Sequence, residues 1–364
     1  MTNKVNYKFI YETIKEDIIK GIYPTNTLLP TESTAAQKYN VSRPTISKVY
    51  NQLQDEGYVT KKKGAGTIVN YKLDHPTYTF GLLLPGAGES EIFPIINDQL
   101  LEQSEILGFN CLWEGATASN ANIRRELIES CCDNYIQKQV DGIFFSPLER
   151  VPDADSINQH ICSKITTAGI PLVLIDRDIV RFPLRSTYDI VCLDNFNAGC
   201  LTASHLIEQG CKHIYFFQRP DSASSVDMRL AGIKHTVQEH NLTFDHSHVI
   251  CGNPREVQLI KQIPIIPRET GIICANDSTA AVLMSTLIEA NIQISSDVVI
   301  CAYDNMKYST YLKHALTSIQ QPCEELANVS IELMFRRIRH PKAIAVTANL
   351  AGKLVIRESS IFIP

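Results

Sequence analysis

Short, continuously apolar segments alternate with amphipathic segments from residue 79 onward. Runs such as 80–84, 142–145 and 172–175 are each followed by a stretch whose apolar residues recur at helical spacing. A second series of the same kind extends from 190 to 303. Continuous apolar strands that alternate with helices are typical of parallel sheets covered on both faces. The pattern therefore predicts an α/β fold with two similar lobes, and a ligand site between them at the carboxyl ends of the strands.

The predicted elements can be assigned segment by segment. The first series has strands at 80–84, 110–113, 142–145 and 172–175, with helices at 92–107, 122–139 and 156–168. The second has strands at 190–193, 214–218, 248–251, 271–275 and 298–303, with helices at 197–209, 228–239, 255–261 and 277–289. A helix between successive strands is what parallel pairing requires.

The first seventy residues have a different pattern, made of short helices. Residues 6–20 form an amphipathic helix. A second helix is predicted to begin near Glu32, where Thr31 or Ser33 can cap its free amides. Asn40 can take the positive φ that ends it.

A third helix is predicted directly after this turn. Ser42 is its expected cap, and Pro44 stands in the first turn, where a missing N–H costs nothing. Its apolar face consists of Ile46, Val49, Tyr50 and Leu53. Arg43, Thr45, Ser47 and Lys48 lie off that face. Side chains near the N-terminal end of such a helix can reach base edges and phosphates in a major groove.

A basic hairpin follows the third helix, with lysines 61–63 and the glycines Gly64 and Gly66 at its tip. The segment from Leu29 to Val69 resembles the winged-helix domain of the GntR family of bacterial transcription regulators, because it matches the family's LP(S/T)E, SR.T and G.GT.V pattern in order. The resemblance implies binding to double-stranded operator DNA. The expected contact residues are Thr31, Ser33, Ser42, Arg43, Thr45, Ser47, Lys48, Lys62, Lys63, Gly64 and Gly66. Ser33 departs from the arginine that many members have there.

Charge is spread unevenly along the 364 residues. Residues 1–72 contain eleven Lys and Arg against six Asp and Glu, whereas the remainder contains 23 against 33. A small basic head on an acidic body suits a head that meets nucleic acid. We expect a winged helix-turn-helix domain at 1–70, a linker at 71–78 and a two-lobed effector and dimerisation domain at 79–364.

Cysteine usage and hydropathy restrict the compartment. The eleven cysteines show no metal-ligand spacing and are mostly in apolar segments, so buried reduced thiols are expected. The start of the chain has no apolar core of a signal peptide, and no apolar run approaches the roughly 18 residues of a membrane span. These features predict a cytoplasmic protein without a membrane partner, a metal or a cofactor.

Polar residues follow the predicted strands, where a ligand between the lobes would lie. They include Glu89 and Ser90, Ser146, Asp176 and Arg177, Asn195, Arg229, Asn276 and Asp304. Such carboxylates, amides and arginines suit the hydroxyls of a sugar. Candidates for an aromatic face are Phe93, Trp113, Phe182 and Phe196. Each polar residue has helix capping as an alternative role, above all Asn197 and Ser278.

The second half resembles the LacI-type repressors and their periplasmic sugar-binding relatives. Residues 194–214 are similar to the family's D…G…A..HL…GH..I segment, 229–233 to R..GF, 276–280 to ND..A, 302–305 to GYDD and 316–322 to LTTI.QP. The match implies effector contacts from Arg229, Asn276, Asp304 and Gln321, with Asp176, Arg177 and Asn195 as further candidates. A GntR head on a LacI-type body is the arrangement of the arabinose-responsive repressors, which makes a pentose the leading effector.

Three other functions are possible for a chain of this composition. A transaminase-like enzyme would need a Schiff-base lysine, and no lysine stands among the strand-end polar residues. A transport-binding protein does not fit the basic winged head. A regulator that senses a nucleoside or a sugar phosphate remains open. We therefore expect no catalytic residues and a homodimeric, sugar-responsive repressor.

Overall fold

The computed structural model describes residues 7–19, 22–62, 64, 66–71, 78–86, 92–113 and 121–363. The chain divides into two units, one made of Met1–Thr79 with Leu101–Asn110 and the other of Phe80–Leu100 with Cys111–Pro364. Lys63, Glu89 and Ser90 lie outside the described residues, as does most of the expected linker.

The first unit contains a helix-turn-helix followed by a hairpin. Its elements are α1 (Tyr7–Ile19), α2 (Glu32–Tyr39), α3 (Arg43–Asp55), β1 (Val59–Lys62) and β2 (Gly66–Val69). The Thr31 hydroxyl caps α2 by accepting from the amide of Thr34, and Asn40 ends that helix at φ +52°. Strands β1 and β2 pair antiparallel. The predicted order of helices, turn and hairpin is confirmed.

The apolar face of α3 forms much of the core of this unit. Ile46, Val49, Tyr50 and Leu53 are all buried, and they pack with the isoleucines of α1. The Tyr50 hydroxyl donates to the carbonyl of Pro30 at 2.8 Å, which ties α3 to the segment before α2. Ser42 occupies the cap position of α3, but its hydroxyl pairs with the Thr45 hydroxyl and makes no bond to a helix amide.

From Thr79 onward, strands and helices alternate along the chain. In order they are β3 (Thr79–Leu83), α4 (Phe93–Leu107), β4 (Asn110–Leu112), α5 (Ala121–Gln137), β5 (Gly142–Phe145), α6 (Ala154–Thr167), β6 (Leu172–Ile175), β7 (Asp189–Leu193), α7 (Asn195–Glu208), β8 (His213–Gln218), α8 (Ser224–Glu239), β9 (Val249–Cys251), α9 (Val257–Ile260), β10 (Thr270–Cys274), α10 (Asp277–Glu289), β11 (Val298–Asp304), β12 (Thr317–Gln320), α11 (Cys323–Arg339), β13 (Thr347–Leu350) and β14 (Lys353–Val355). The segment predicted as a helix at 255–261 is a single turn.

These strands form two six-stranded sheets, one in each lobe. The order in the first is β13-β7-β6-β5-β3-β4, and in the second β14-β12-β11-β10-β8-β9. Strand β14 pairs antiparallel to β12, whereas the register of the other described pairs in these two sheets is parallel. The expected α/β fold with parallel sheets is confirmed.

One strand belongs to a different lobe from the one predicted. The segment 190–193 was expected to begin the second series, but β7 pairs with β6 and β13 in the first sheet. The chain crosses between the sheets directly after β7, again between β12 and α11, and a third time between β13 and β14. These crossings bring residues such as Asn195 and Gln321 to the junction of the lobes.

Helices α7 and α8 pack with their backbones almost in contact. A methyl group on Gly199 would overlap the carbonyl oxygen of Arg229, and one on Gly232 would overlap that of Phe196. Only glycine allows so close an approach. The pair of glycines therefore sets the position of α8 against α7, and with it the position of Arg229.

Eight of the eleven cysteines are buried, as expected, and all are free thiols. Cys111 and Cys200 are partly buried, and Cys251, which ends β9 at the edge of the second sheet, is exposed. Within the described ranges, no helix has the length and hydropathy to cross a membrane.

Candidate functional sites

A cavity of about 250 Å³ is lined by residues from both lobes at the carboxyl ends of their strands. Its charged lining consists of four arginines and three carboxylates: Arg150, Arg177, Arg219 and Arg229, with Glu149, Asp176 and Asp304. Asn276, Gln321 and several serines and threonines add neutral polar groups, while Ile92 and Val226 are apolar. The cavity is therefore a polar site with both donors and acceptors, near the lower end of the size range for small-molecule sites, which begins at roughly 300 Å³.

Arg229 is fixed in the wall of this cavity by contacts on three sides. Its Nε donates to Asn195 Oδ1 at 2.8 Å, and one terminal nitrogen donates to the carbonyl of Ala275 at 2.5 Å. The guanidinium also lies 4.5 Å from the centre of the Tyr303 ring. Because Arg229 is buried and held in this way, its remaining donors have a defined direction.

Arg177 forms a buried ion cluster with two carboxylates of the same lobe. Its terminal nitrogens lie 2.9 Å from Glu149 and 2.9 Å from Asp176. Burial by itself would raise the pKa of Glu149, but the guanidinium groups of Arg177 and Arg150 outweigh it and bring that pKa to about 2. Burial likewise opposes the charge of Arg177, and the two carboxylates reverse this effect and raise its pKa. Glu149 and Arg177 therefore stay ionised at neutral pH.

Asp304 and Gln321 line the cavity as a bonded pair. The Gln321 amide nitrogen donates to Asp304 Oδ1 at 2.7 Å. Its amide oxygen is buried and has no hydrogen-bond partner among the described residues. An acceptor in this condition needs a donor from a ligand or from water. Asp304 has φ +108°, outside the regions that most side chains adopt.

Glu89 and Ser90 lie outside the described residues, and the other expected effector residues divide into two groups. Asp176, Arg177, Arg229, Asn276, Asp304 and Gln321 line the cavity together. Two other described candidates, Ser146 and Asn195, are buried and are not among its lining residues. Asn195 accepts from Arg229 and donates to the carbonyl of Leu193, so its role is to orient the arginine. The position of a residue after a strand does not determine which way its side chain points.

In two loops, the residue that caps the following helix is not the one predicted from the sequence. Asp194 caps α7 and Asn276 caps α10, through bonds from the amides of Asn197 and Thr279. Asn197 and Ser278 were expected to be the caps. Asn276 therefore both caps a helix and lines the cavity.

The expected aromatic face does not occur at the cavity. Phe93 is buried in the core, Trp113 and Phe196 are exposed, and Phe182 lies beside a second, much smaller cavity. Among the described residues, the apolar lining comes from aliphatic side chains.

Three charged lining residues were not selected from the sequence. Glu149 and Arg150 follow β5, and Arg219 follows β8. All three residues follow the carboxyl end of a strand, where the sequence predicts that a ligand binds. Nothing in the sequence, however, indicates which residues of a loop face the cavity.

In the first unit, Arg43 stands at the start of α3 with 69% of its side chain exposed. Its Nε lies 3.3 Å from Glu32 of α2, which also accepts from Lys61 at 3.1 Å. Burial would raise the pKa of Glu32, but Lys61, Ser47 and Arg43 together lower it. Arg43 therefore forms an ion pair with Glu32 while most of its side chain stays exposed.

Lys61, at the start of the basic hairpin, is bonded within the first unit. Its ammonium group donates to Glu32, to Asn51 Oδ1 at 2.6 Å and to the carbonyl of Ser47. Because β1 directs the Lys61 side chain onto α3, this residue connects the hairpin to the helices. Its ammonium group is not directed outward, where a DNA phosphate would lie. Lys62, one residue further, is exposed.

The remaining expected DNA-contact residues lie at or near the surface of the first unit. Thr31, Ser33, Ser42, Lys48, Lys62, Gly64 and Gly66 are exposed, and Thr45 and Ser47 are partly buried. Gly64 and Gly66 have φ +81° and +94°, a conformation that favours glycine. The tip of the hairpin thus depends on both glycines.

Two family models match this chain. One describes bacterial regulatory proteins of the gntR family and covers residues 6–69. The other describes a periplasmic binding protein-like domain and covers residues 203–360.

Similar proteins cover nearly the whole chain at low identity. The arabinose metabolism transcriptional repressor of Geobacillus stearothermophilus is 24% identical over 343 residues, which is 91% of each protein. The structure resembles a complex of the transcriptional regulator CelR with cellobiose, at TM-score 0.65 and 20% identity, over 91% of this chain and 100% of the other. It also resembles a LacI-family regulator from Enterococcus faecium with bound ribose, at TM-score 0.61 and 23% identity, over 79% and 100%.

Proposed function

We propose, from the premise that this chain joins a DNA-binding domain of the bacterial gntR regulatory proteins to a periplasmic-binding-protein-like domain, that a monosaccharide in the cavity releases it from its operator. The chain is then a transcription repressor that reads DNA with α3 and the hairpin. The observation that carries the proposal is the polar cavity, where Asp304, Gln321 and Arg229 present acceptors and donors at the junction of two lobes.

A sugar fits this lining chemically. Adjacent hydroxyls can donate to Asp304 and to the unpartnered oxygen of Gln321, and they can accept from Arg229. Arabinose or another pentose is the leading neutral candidate, in view of the names of the similar proteins. Asp176 and Arg177 of the first lobe line the same cavity, so a ligand that contacts them as well stabilises the closed arrangement and shifts the equilibrium between states.

The protein acts as a homodimer in this proposal, since a single winged helix makes few base contacts and specific operators are usually two related half-sites. Arg43 is the only arginine in residues 1–72, and arginine to guanine is the commonest specific base contact. It is therefore the residue assigned to base reading, whereas Lys62 and Lys63 are assigned to phosphates.

Selection of bound duplexes from random DNA, followed by titration with sugars, tests this function. We expect the selected DNA site to have two related halves. One of arabinose, ribose or xylulose should release the protein from it. Arg43→Ala should weaken binding by about 1–3 kcal/mol and relax the preference at one base pair per half-site. Lys8→Ala, an exposed basic residue of α1, is the control for lost charge. Unchanged affinity and preference in Arg43→Ala would refute the assignment of α3.

A further inference from the structure

Two arginines of the cavity, one from each lobe, have no close carboxylate partner among the described residues. Arg219 follows β8, and its Nε is buried without a hydrogen-bond partner in the described part of the chain. Its other recorded contact is a long one, 3.5 Å from a terminal nitrogen to the Ser278 hydroxyl. Arg150 follows β5, and its recorded carboxylate contact is with Glu149, also at 3.5 Å. Both side chains are partly buried, and a partly buried guanidinium group usually has a closer acceptor than this.

The carboxylates of the cavity are already bonded elsewhere. Glu149 and Asp176 both lie 2.9 Å from Arg177, and Asp304 accepts from Gln321. Burial lowers the pKa of Arg219, and the positive charges of Arg150 and Arg255 lower it further, while Tyr308 and Glu149 only partly offset these effects. Positive charge therefore accumulates beside Arg219, and an anion bound there would offset both the burial and the repulsion.

The ends of two helices add to the same electrostatic pattern. Ser225 stands in the first turn of α8, which has 16 residues, and Ser278 in the first turn of α10, which has 13. Both line the cavity. The N-terminus of a helix carries partial positive charge and directs amide hydrogens outward, which favours an anion. Their hydroxyl groups can also donate to an anionic oxygen.

We propose that the effector is a sugar bearing an anionic group, with the anion bound between Arg150 and Arg219 and the hydroxyls bound at Asp304 and Gln321. The inference rests on the proposed function, because it takes the cavity as the effector site. The unpartnered oxygen of Gln321 calls for a hydroxyl donor, and the guanidinium of Arg219 calls for an acceptor. A single sugar with free hydroxyls and an anionic group provides the donor for Gln321 and the acceptor for Arg219.

A phosphate ester suits the two arginines better than a carboxylate does. A phosphomonoester carries about −1.5 to −2 charges at neutral pH and three acceptor oxygens. It can therefore accept from two guanidinium groups together, whereas a carboxylate offers two oxygens and one charge, which matches a single arginine. The sugar phosphates are thus the first class to test, with the sugar acids as the alternative source of the anion.

Binding of inorganic phosphate to the full-length protein tests the anion subsite without knowledge of the sugar. Calorimetry at constant ionic strength should give saturable binding of phosphate but not of chloride. Arg219→Gln and Arg150→Gln should each weaken it about tenfold or more. Arg339→Gln is the matched control, because Arg339 is exposed, carries the same charge and does not line the cavity. If phosphate binds no better than chloride, or if the control loses as much affinity as Arg219→Gln, the subsite does not exist.

Matched sugars then identify the source of the anion and separate this inference from the proposed function. Ribose 5-phosphate and glucose 6-phosphate should bind at least about tenfold more tightly than ribose and glucose, with glucuronate in between. The advantage should disappear in Arg219→Gln. Equal binding of neutral and phosphorylated sugars overturns the inference and leaves the sugar-responsive function standing. Tight binding of a sugar phosphate that has no effect on operator binding supports the subsite and refutes the proposed function.

Discussion

Replacing Asp304 with asparagine should separate effector sensing from DNA binding. Asparagine tolerates the positive φ of this position better than alanine does, so it avoids a backbone penalty that Asp304→Ala would add. Its side-chain oxygen can still accept from Gln321, as Asp304 Oδ1 does now at 2.7 Å. The substitution therefore removes the negative charge of the acceptor and leaves the local geometry in place.

The expected loss follows from the strength of the bonds concerned. Hydrogen bonds to a charged group contribute about 1.5–3 kcal/mol, against about 0.5–1.5 kcal/mol between neutral groups. One or two effector hydroxyls bound to the carboxylate thus lose about 1–3 kcal/mol. This corresponds to roughly fivefold to more than a hundredfold in affinity. The melting temperature without effector should change little.

Arg229→Ala provides the comparison, because it should affect both properties. It removes the partner of Asn195 Oδ1 and of the Ala275 carbonyl, and it leaves a void beside Tyr303. Each buried acceptor left unpaired costs about 1–3 kcal/mol. This variant should therefore melt at a lower temperature as well as lose effector affinity.

Calorimetry with the releasing sugar, thermal melts and operator binding by fluorescence anisotropy make up the assay. In a cell, Asp304→Asn should repress its target genes permanently. The reasoning fails if Asp304→Asn binds the effector with the affinity of the parent protein, or if it no longer binds the operator when effector is absent.

Two further predictions concern packing and assembly. Gly199→Ala should destabilise the protein by about 1–3 kcal/mol and weaken effector binding, because the added methyl group overlaps the Arg229 backbone and moves α8. Glu208→Ala, an exposed change on the same helix, is the control. It should leave the melting temperature in thermal melts and the effector affinity in calorimetry unchanged. The apolar residues Ile95, Ile96 and Leu100 make α4 a candidate dimer interface, but Ile96 and Leu100 are buried and only Ile95 of the three is exposed. If this face still forms the interface, Ile95→Asp should yield monomers in sedimentation velocity while Ile344→Asp, an exposed control, stays dimeric; two dimeric variants would exclude the face.

The sequence alone was enough for features that depend on near neighbours in the chain. Strands β5 and β6 and helix α10 have the bounds that the apolar pattern predicts. The turn after α2 requires a residue that accepts positive φ, and Asn40 is one. Such features are local, because a cap, a turn or an apolar stripe involves residues only a few positions apart.

The tertiary structure decided which distant segments meet. An apolar run shows that a strand is buried but does not identify its partner, so the membership of β7 in the first sheet could not be read from its sequence. The same limit applies to the cavity. Arg150 and Arg219 are brought together by strands of different sheets, while Asn195 is turned away to hold Arg229. Pairing of strands and the direction of side chains depend on packing between residues far apart in the chain, and a periodic pattern along one segment carries no information about that packing.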